Sequence, residues 1–293
     1  MKLLSRLILK LDRMELLTIL PTKLYLQLIY KIKLNKKLDL DNPQTFNEKL
    51  QWLKINNIQK NYSLLVNKYT VKNYIGKVIG EEYIIPTLGI YDKFEDINFD
   101  DLPEQFVIKC THDSGGIVVC KDKSKLDKDS CRIKIKKCLK RNYYLHGREY
   151  PYKTIKPQII IEKYMEDENL KELRDYKFFC FNGEPKCFKI DFDRFVNHRA
   201  NYYDMNQKIL NVGEKNFPPD FNKNLLMPIN FDKMVEFAKK ISRNIPFARV
   251  DFYEVNNKVF FGEITFFPAS GMGKFINEYS DELLGSWLQL PIK

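Results

Sequence analysis

The sequence predicts an α+β fold in which helices and antiparallel strands occupy separate blocks around a cleft. Three observations carry this prediction. Apolar residues recur at helical spacing through residues 1 to about 80. Short runs rich in β-branched and aromatic residues take over afterwards, several of them joined by tight turns. The two kinds of segment come in segregated blocks, which suggests α+β subdomains. No internal repeat or low-complexity tract interrupts the pattern.

Leu3, Leu4, Leu7, Ile8 and Leu11 repeat at helical spacing, with Lys2, Arg6, Lys10 and Arg13 mostly on the other side. This basic amphipathic helix either packs on its own domain, as apolar stripes usually do, or rests on an anionic membrane. Pro21 opens a second helix. Asn42-Pro43-Gln44-Thr45 supplies a turn and cap ahead of Phe46, Leu50 and Leu53. Tyr83-Ile84-Ile85 reads as a short strand closed by Pro86. After Pro103, Phe106 to Cys110 is an apolar strand that ends in a lysine, Lys109, before its last residue. The polar turn Thr111-His112-Asp113-Ser114-Gly115-Gly116 leads into a strand from Ile117 to Cys120. Lys123 to Arg141 reads as one helix, and the aromatic, basic segment from Arg141 to Lys153 as a loop. Ile159-Ile160-Ile161 is a buried strand running into Glu162-Lys163-Tyr164-Met165. Tyr176 to Phe181 and Lys186 to Phe192 pair through a turn at Asn182-Gly183. Beyond Pro218-Pro219, Asp232 to Ile241 is a helix.

The last hairpin carries the chemistry. Phe247 to Tyr253 and Val259 to Phe267 read as antiparallel strands joined through Asn256-Asn257-Lys258. A three-residue loop sets Asp251 across from Glu263 and Arg249 across from Thr265, all on one face. Ala248, Val250, Phe252, Ile264 and Phe266 then form the core face. Two facing carboxylates repel unless a cation lies between them, and Mg²⁺ takes one or two carboxylates and completes its octahedron with phosphate oxygens and water. The alternative is a plain solvated strand face.

Composition sets wide limits. The chain has 293 residues and 44% hydrophobic content, enough for two or three packed subdomains. Its net charge of +11 favours polyanionic partners: nucleotide phosphates, acidic lipid, acidic polysaccharide or nucleic acid. No nucleic-acid recognition motif accompanies the charge, so nucleic acid is not expected as a partner. Six cysteines without a Cys-x-x-Cys pair, and only three histidines, argue against zinc and for free thiols in a reducing cytoplasm. His112 lies in the polar turn, and His146 and His198 read as loop residues. No cleavable leader and no apolar run long enough to span a membrane is evident.

Lys109 ends a buried strand, and the backbone N–H groups around Gly115 and Gly116 are near enough to cradle phosphate oxygens. This is not a Walker loop, and an ordinary hairpin with an exposed lysine is the competing reading. Taken with Glu162-Lys163-Tyr164-Met165 and the Arg249/Asp251/Glu263 face, the order of the pieces resembles the ATP-grasp fold. That resemblance implies a strand-end lysine at Lys109 and a phosphate-covering hairpin at Gly115 and Gly116. It implies an adenine-facing linker at Glu162, Lys163 and Met165, and a metal and phosphoryl site at Arg249, Asp251 and Glu263. Thr265 stands where the family usually has Asn, which puts a second metal in doubt.

Asn42 to Leu53, Leu102 to Lys109, Asp175 to Gly183 and Asp191 to Arg194 further resemble the teichuronopeptide-synthesis, TupA-like branch of that superfamily. The resemblance implies a mainly helical region over 1–98, a small ATP-grasp subdomain over 99–163 and a large one over 164–293. It implies an ATP- and Mg²⁺-dependent carboxylate–amine ligase of bacterial surface-polysaccharide synthesis, with a small-molecule amine and a carboxylate-bearing glycan precursor as substrates. Lys177 is the candidate for a second phosphate contact, and Asp193 and Arg194 for acceptor binding. A glycosyltransferase-like or kinase-like enzyme of the same pathway, or a non-catalytic protein that binds anionic glycan, remains open.

Overall fold

The computed structural model describes residues 2–168, 173–194 and 196–292, and the side chain of Lys2 lies outside that set. Helices α1 (Lys2–Arg13), α2 (Thr22–Leu34), α3 (Phe46–Asn56), α4 (Tyr62–Val66) and α5 (Thr70–Val78) come first. Thr45 caps α3 as its spacing predicts: its side chain accepts from the Glu48 amide while Glu48 reaches back to the Thr45 amide.

A small antiparallel sheet follows, in the order β1 (Thr87–Tyr91), β4 (Ile159–Lys163), β2 (Phe106–Cys110), β3 (Ile117–Cys120). Period-2 alternation decides what each face carries. Phe106, Ile108, Ile159 and Ile161 are buried against α6 (Lys128–Leu139) and its Cys131, Ile135 and Cys138. Lys109 and Glu162 therefore belong to the opposite face, toward the rest of the molecule.

The second sheet is antiparallel in the order β7 (Arg199–Asp204), β6 (Glu184–Phe192), β5 (Asp175–Phe181), β8 (Phe247–Val255), β9 (Lys258–Thr265). Phe178, Phe188, Val250 and Phe252 lie on one face, where α7 (Phe231–Ser242) packs Phe231 and Phe237 onto them. The other face is apolar at one end only. There Phe181 and Phe247 meet Phe46 of α3 and Trp287 of α8 (Glu278–Trp287). Lys49 of α3 donates to the carbonyls of Gly285 and Leu288, and Asn47 is held by Asp281 at 2.9 Å.

Several local expectations are corrected. Tyr83 to Ile85 is not a strand: residues Glu81–Tyr83 form a 3-10 turn, and Ile84 makes one isolated bridge to Phe261. Pairing with β4 starts instead at Pro86, whose carbonyl accepts from Lys163, and continues beyond it, because Pro lacks an N–H but keeps its acceptor. The helix expected over 123–141 is broken, since Leu126 is extended and Asp127 caps α6 by accepting from Asp129 and Ser130. β7 and α8 were not legible, since Arg-Ala-Asn-Tyr-Tyr-Asp has no β-branched residue and α8 has a short apolar face.

The hairpin loop holds two residues, not three. Asn256 and Asn257 both have positive φ, and Val255 pairs with Lys258. A β-bulge between Asp251 and Phe252, with Gly262 opposite, adds back the missing residue, so Asp251 still faces Glu263 and Arg249 still faces Thr265. Gly262 suits that bulge: a Cβ there would come within 3.0 Å of the Asp251 carbonyl.

In α1 the stripe splits. Ile8 and Leu9 pack toward the core, while Leu3, Leu4 and Leu7 are 82%, 62% and 52% exposed. No helix among the described residues is long and apolar enough to cross a membrane. All six cysteines are free and buried.

Candidate functional site

On the large sheet, alternation puts Arg249, Asp251, Glu263 and Thr265 on the face left uncovered by α7. The Arg249 guanidinium donates to both Asp251 oxygens, from Nε at 2.7 Å and Nη2 at 2.6 Å, and from Nη2 to Glu263 at 2.8 Å. This fork-to-carboxylate pairing answers the repulsion foreseen between the two acids. Thr265 donates its hydroxyl to Glu263 at 3.3 Å. Asp251 is buried, and that burial pushes its carboxyl up to about 7 against the pull of Arg249 and Lys177. Glu263 keeps 44% of its side chain exposed. Two opposed carboxylates, one accessible, fit the modest protein share of a Mg²⁺ shell. Among the described residues no group of three or more His, Cys, Asp or Glu is arranged to hold a metal alone.

The same face continues across β5 and β6. Lys177 pairs with Asp175 at 2.8 Å and with Asp191. Arg194 reaches Asp175 at 2.6 Å, and His198 Nε2 lies 2.9 Å from Asp191. Lys189 and the Tyr202 hydroxyl share Glu214. Burial alone would raise these acids, yet Lys189 and Lys177 hold Asp191, and Lys177 and Arg194 hold Asp175, below the usual carboxylate range. Arg194 thus joins the array beside Lys177. Asp193 does not: it adopts a left-handed backbone and bonds Lys223 at the surface. Asp175, Asp191, Lys189 and Glu214 were missed as site residues. The i, i+2 spacing of Asp175 with Lys177 and of Lys189 with Asp191 was the available signal.

On the small sheet, Glu162 takes Lys109 on one oxygen at 2.6 Å and Lys72 on the other at 2.5 Å. These two cations outweigh burial and lower its pKa. Lys72 and Lys68 come from α5 and the turn before it, far from Lys109 in sequence, and no local pattern marks them. Lys68 donates to the Asp113 carbonyl. A cavity of about 70 Å³ brings the sheets together, lined by Lys68, Lys72, Lys109 and Glu162 on one side and by Tyr253 and Glu263 on the other.

The turn after Lys109 is anchored at its base. Asp113 accepts two bonds from Arg141, at 3.0 and 3.1 Å, and one from the Ser114 amide. Gly116 backs onto α6, where a Cβ would come within 2.9 Å of Cys138 Sγ. Gly115, at φ +98°, sits at the open tip with nothing within 4 Å of a Cβ. His112 packs against the Arg141 carbonyl, and burial lowers its pKa. Lys163 is on the face opposite Glu162, exposed beside Lys121 and Tyr164, and its amide is taken by Pro86. Met165 is half-buried just beyond the strand.

A family model described as TupA-like ATPgrasp matches residues 48–289, most of the chain. The chain belongs to the TupA-like ATP-grasp family. Its two sheets and helices are accordingly an ATP-grasp fold of the α+β class. No curated protein matches this TupA-like chain in sequence. Among solved structures it is similar to the D-alanine–D-alanine ligase of Bacillus anthracis, at 16% identity and TM-score 0.40 over 69% of this chain and 57% of that one. The Helicobacter pylori D-alanine–D-alanine ligase matches at 16% identity and TM-score 0.42, over 83% and 69%. The ATP-grasp ligase PsnB, solved with a precursor variant, Mg and ADP, matches at 9% and 0.39, over 75% and 57%. The TupA-like chain therefore spans little more than half the length of two of these three ligases.

Proposed function

We propose that this TupA-like protein is an ATP- and Mg²⁺-dependent carboxylate–amine ligase. It would join an amino acid, or another amine, to a uronic-acid-type carboxylate of a bacterial surface-polysaccharide precursor. The observation that carries the reading is the shared cleft, in which Lys109 and Glu162 from one sheet meet Glu263 of the Arg249/Asp251/Glu263 face of the other.

The substrate carboxylate oxygen attacks the terminal phosphorus of ATP, and ADP leaves. The amine nitrogen then attacks the acyl carbon, phosphate leaves, and the nitrogen gives up a proton. Asp251 and Glu263, with Thr265 beside them, would hold Mg²⁺, which would supply positive charge to the phosphate oxygens. Lys109 and Arg249 offset the charge that develops on the transferred group, and Lys177 makes a further phosphate contact. Backbone around Gly115 and Gly116 covers the phosphates. Glu162, Lys163 and Met165 bound the adenine, Met165 through its main chain. Asp193 and Arg194 are assigned to the acceptor, with Arg194 the better placed through its link to Asp175. Residues 99–163 and 164–293 act as the two jaws, and 1–98 as a helical support to which β1 is an exception, since it pairs with β4.

Purified protein given Mg²⁺, ATP, UDP-glucuronate and a mixture of amino acids should release ADP only when carboxylate and amine are both present, with an amide as product. ADP release without the amine would replace the ligase by a kinase, and consumption of the sugar nucleotide with UDP release would replace it by a transferase.

The reading also places the protein in the cytoplasm, with residues 1–13 at the inner face of the membrane. Support comes from exposed Leu3, Leu4 and Leu7 on a helix that carries Arg6, Lys10 and Arg13. Co-sedimentation with phosphatidylglycerol vesicles should be lost on Leu4→Asp/Leu7→Asp. Unchanged sedimentation of that variant, or none by the wild type, overturns the contact.

A further inference from the structure

Away from the shared cleft lies a second concavity of about 350 Å³, lined by four lysines. Lys33 and Lys36 come from the end of α2 and the turn after it, while Lys215 and Lys274 come from two facing loops. Two acids are also present, but both are engaged. Glu278 pairs with Lys36 at 2.7 Å, and Asp281 accepts two bonds from Asn47 while burial raises its pKa toward the neutral form. Lys33, Lys215 and Lys274 make no ion pair among the described residues. Unpaired cations gathered in one hollow raise the local concentration of anions there.

The lysines stand on a fixed frame. Lys215 donates its amide to the Lys274 carbonyl at 2.7 Å, Glu214 bridges Phe275, and Ile276 donates to Gly213. Asn47 also donates to the Gly273 carbonyl. Two links tie this frame to the candidate active site. Glu214, next to Lys215, turns its carboxylate to Lys189 and Tyr202 on the charged face of the large sheet. From Glu263 the chain runs through Ala269, Ser270 and Gly271, all with left-handed backbone, to Gly273. Ser270 and Gly271 are locked by buried side chains of α3: Gln51 donates to both carbonyls, and Lys54 to the carbonyls of Ser270 and Gly147. Two non-glycine residues held at positive φ is a strained arrangement that persists only where its surroundings enforce it.

We propose that this lysine-lined cleft binds the oxyanion groups, phosphate or carboxylate, of the glycan precursor, at a distance from the carboxylate that reacts. The inference rests on the ligase reading for its substrate, and assigns the cleft the part of anchoring that substrate by charge. Binding energy gained there positions the reacting group without taking part in bond making.

The test uses isothermal titration of the whole protein at low ionic strength with two probes, trigalacturonate and inorganic pyrophosphate. Wild type is compared with Lys215→Gln/Lys274→Gln and with Glu278→Gln. Loss of two unpaired cations should weaken at least one probe by about tenfold, and freeing Lys36 in Glu278→Gln should tighten the same probe. An opposite response of the two variants is beyond what partial unfolding would give. The probe that responds tells uronate carboxylates from phosphate as the source. Equal binding by wild type and the double lysine variant, or no binding of either probe to wild type, overturns the cleft. If the lysine dependence holds but wild type releases no ADP with any substrate pair, the ligase reading falls and the anion site stands.

Discussion

Asp251→Asn and Glu263→Gln should each abolish the thermal stabilisation that Mg²⁺ and ATP confer on the wild-type protein. Saturation at about a hundred times the dissociation constant adds about 2.7 kcal/mol, which in a chain of this size raises the melting temperature by roughly 5 °C. Both substitutions keep size and shape but remove an anionic oxygen ligand, so the loss reports charge at the metal position. Their effects without ligand should differ. Asp251 is buried and takes both arms of Arg249, so its loss leaves that cation short of a partner. Glu263 is 44% exposed and gives Arg249 a single bond, so Glu263→Gln should melt close to wild type when no nucleotide is added. A wild-type melting temperature unmoved by Mg²⁺ and ATP, or full stabilisation retained in both variants, removes the proposed metal site.

Lys177→Met should cost about 3–5 kcal/mol of folding stability near neutral pH, the range for removing one partner from a buried ionic cluster. Lys177 bridges Asp175 and Asp191 and is the nearer cation to Asp191, and it helps hold both ionised in a buried position. Arg194 still reaches Asp175 at 2.6 Å and Asp191 at 3.8 Å, which sets the expectation toward the lower end. The pH dependence gives the sign. Both carboxylates have folded pKa values below the 3.8 of an unperturbed Asp, so their stabilising contribution is complete above about pH 4 and fades as pH falls below it. The gap between wild type and Lys177→Met should therefore narrow in acid, where the acids shed the charge that Lys177 balances. Urea unfolding midpoints from pH 3 to pH 8 read this directly. A gap of constant size throughout would assign the loss to packing and not to charge.

The sequence made this charged face legible because strand alternation is short-range: Arg249, Asp251, Glu263 and Thr265 needed only a hairpin and a register. The register came out correct through two offsetting departures, a loop one residue shorter than expected and a bulge at Gly262 that restored the count. Lys109 was legible for the same reason, being one residue from the end of an apolar strand. Lys72 and Lys68 were not, since what brings them to Glu162 is the packing of α5 on the small sheet, a contact between distant segments with no local mark. Asp175 and Asp191 were visible as letters of a motif, yet their part as counter-charges appears only once β5 and β6 lie side by side. The four lysines of the second cleft illustrate the same limit: they come from three separate parts of the chain, and only folding collects them.

The clasp between α3 and α8 also has a bearing on how the protein is made. Asn47 and Asp281 are 234 positions apart, and Lys49 reaches the carbonyls of Gly285 and Leu288. A chain emerging from the ribosome can close neither contact until α8 has been translated, so this clasp forms after Phe181 and Phe247 are already available to cover Phe46. Such long-range closure slows folding and lengthens the time for which apolar surface stays open to solvent.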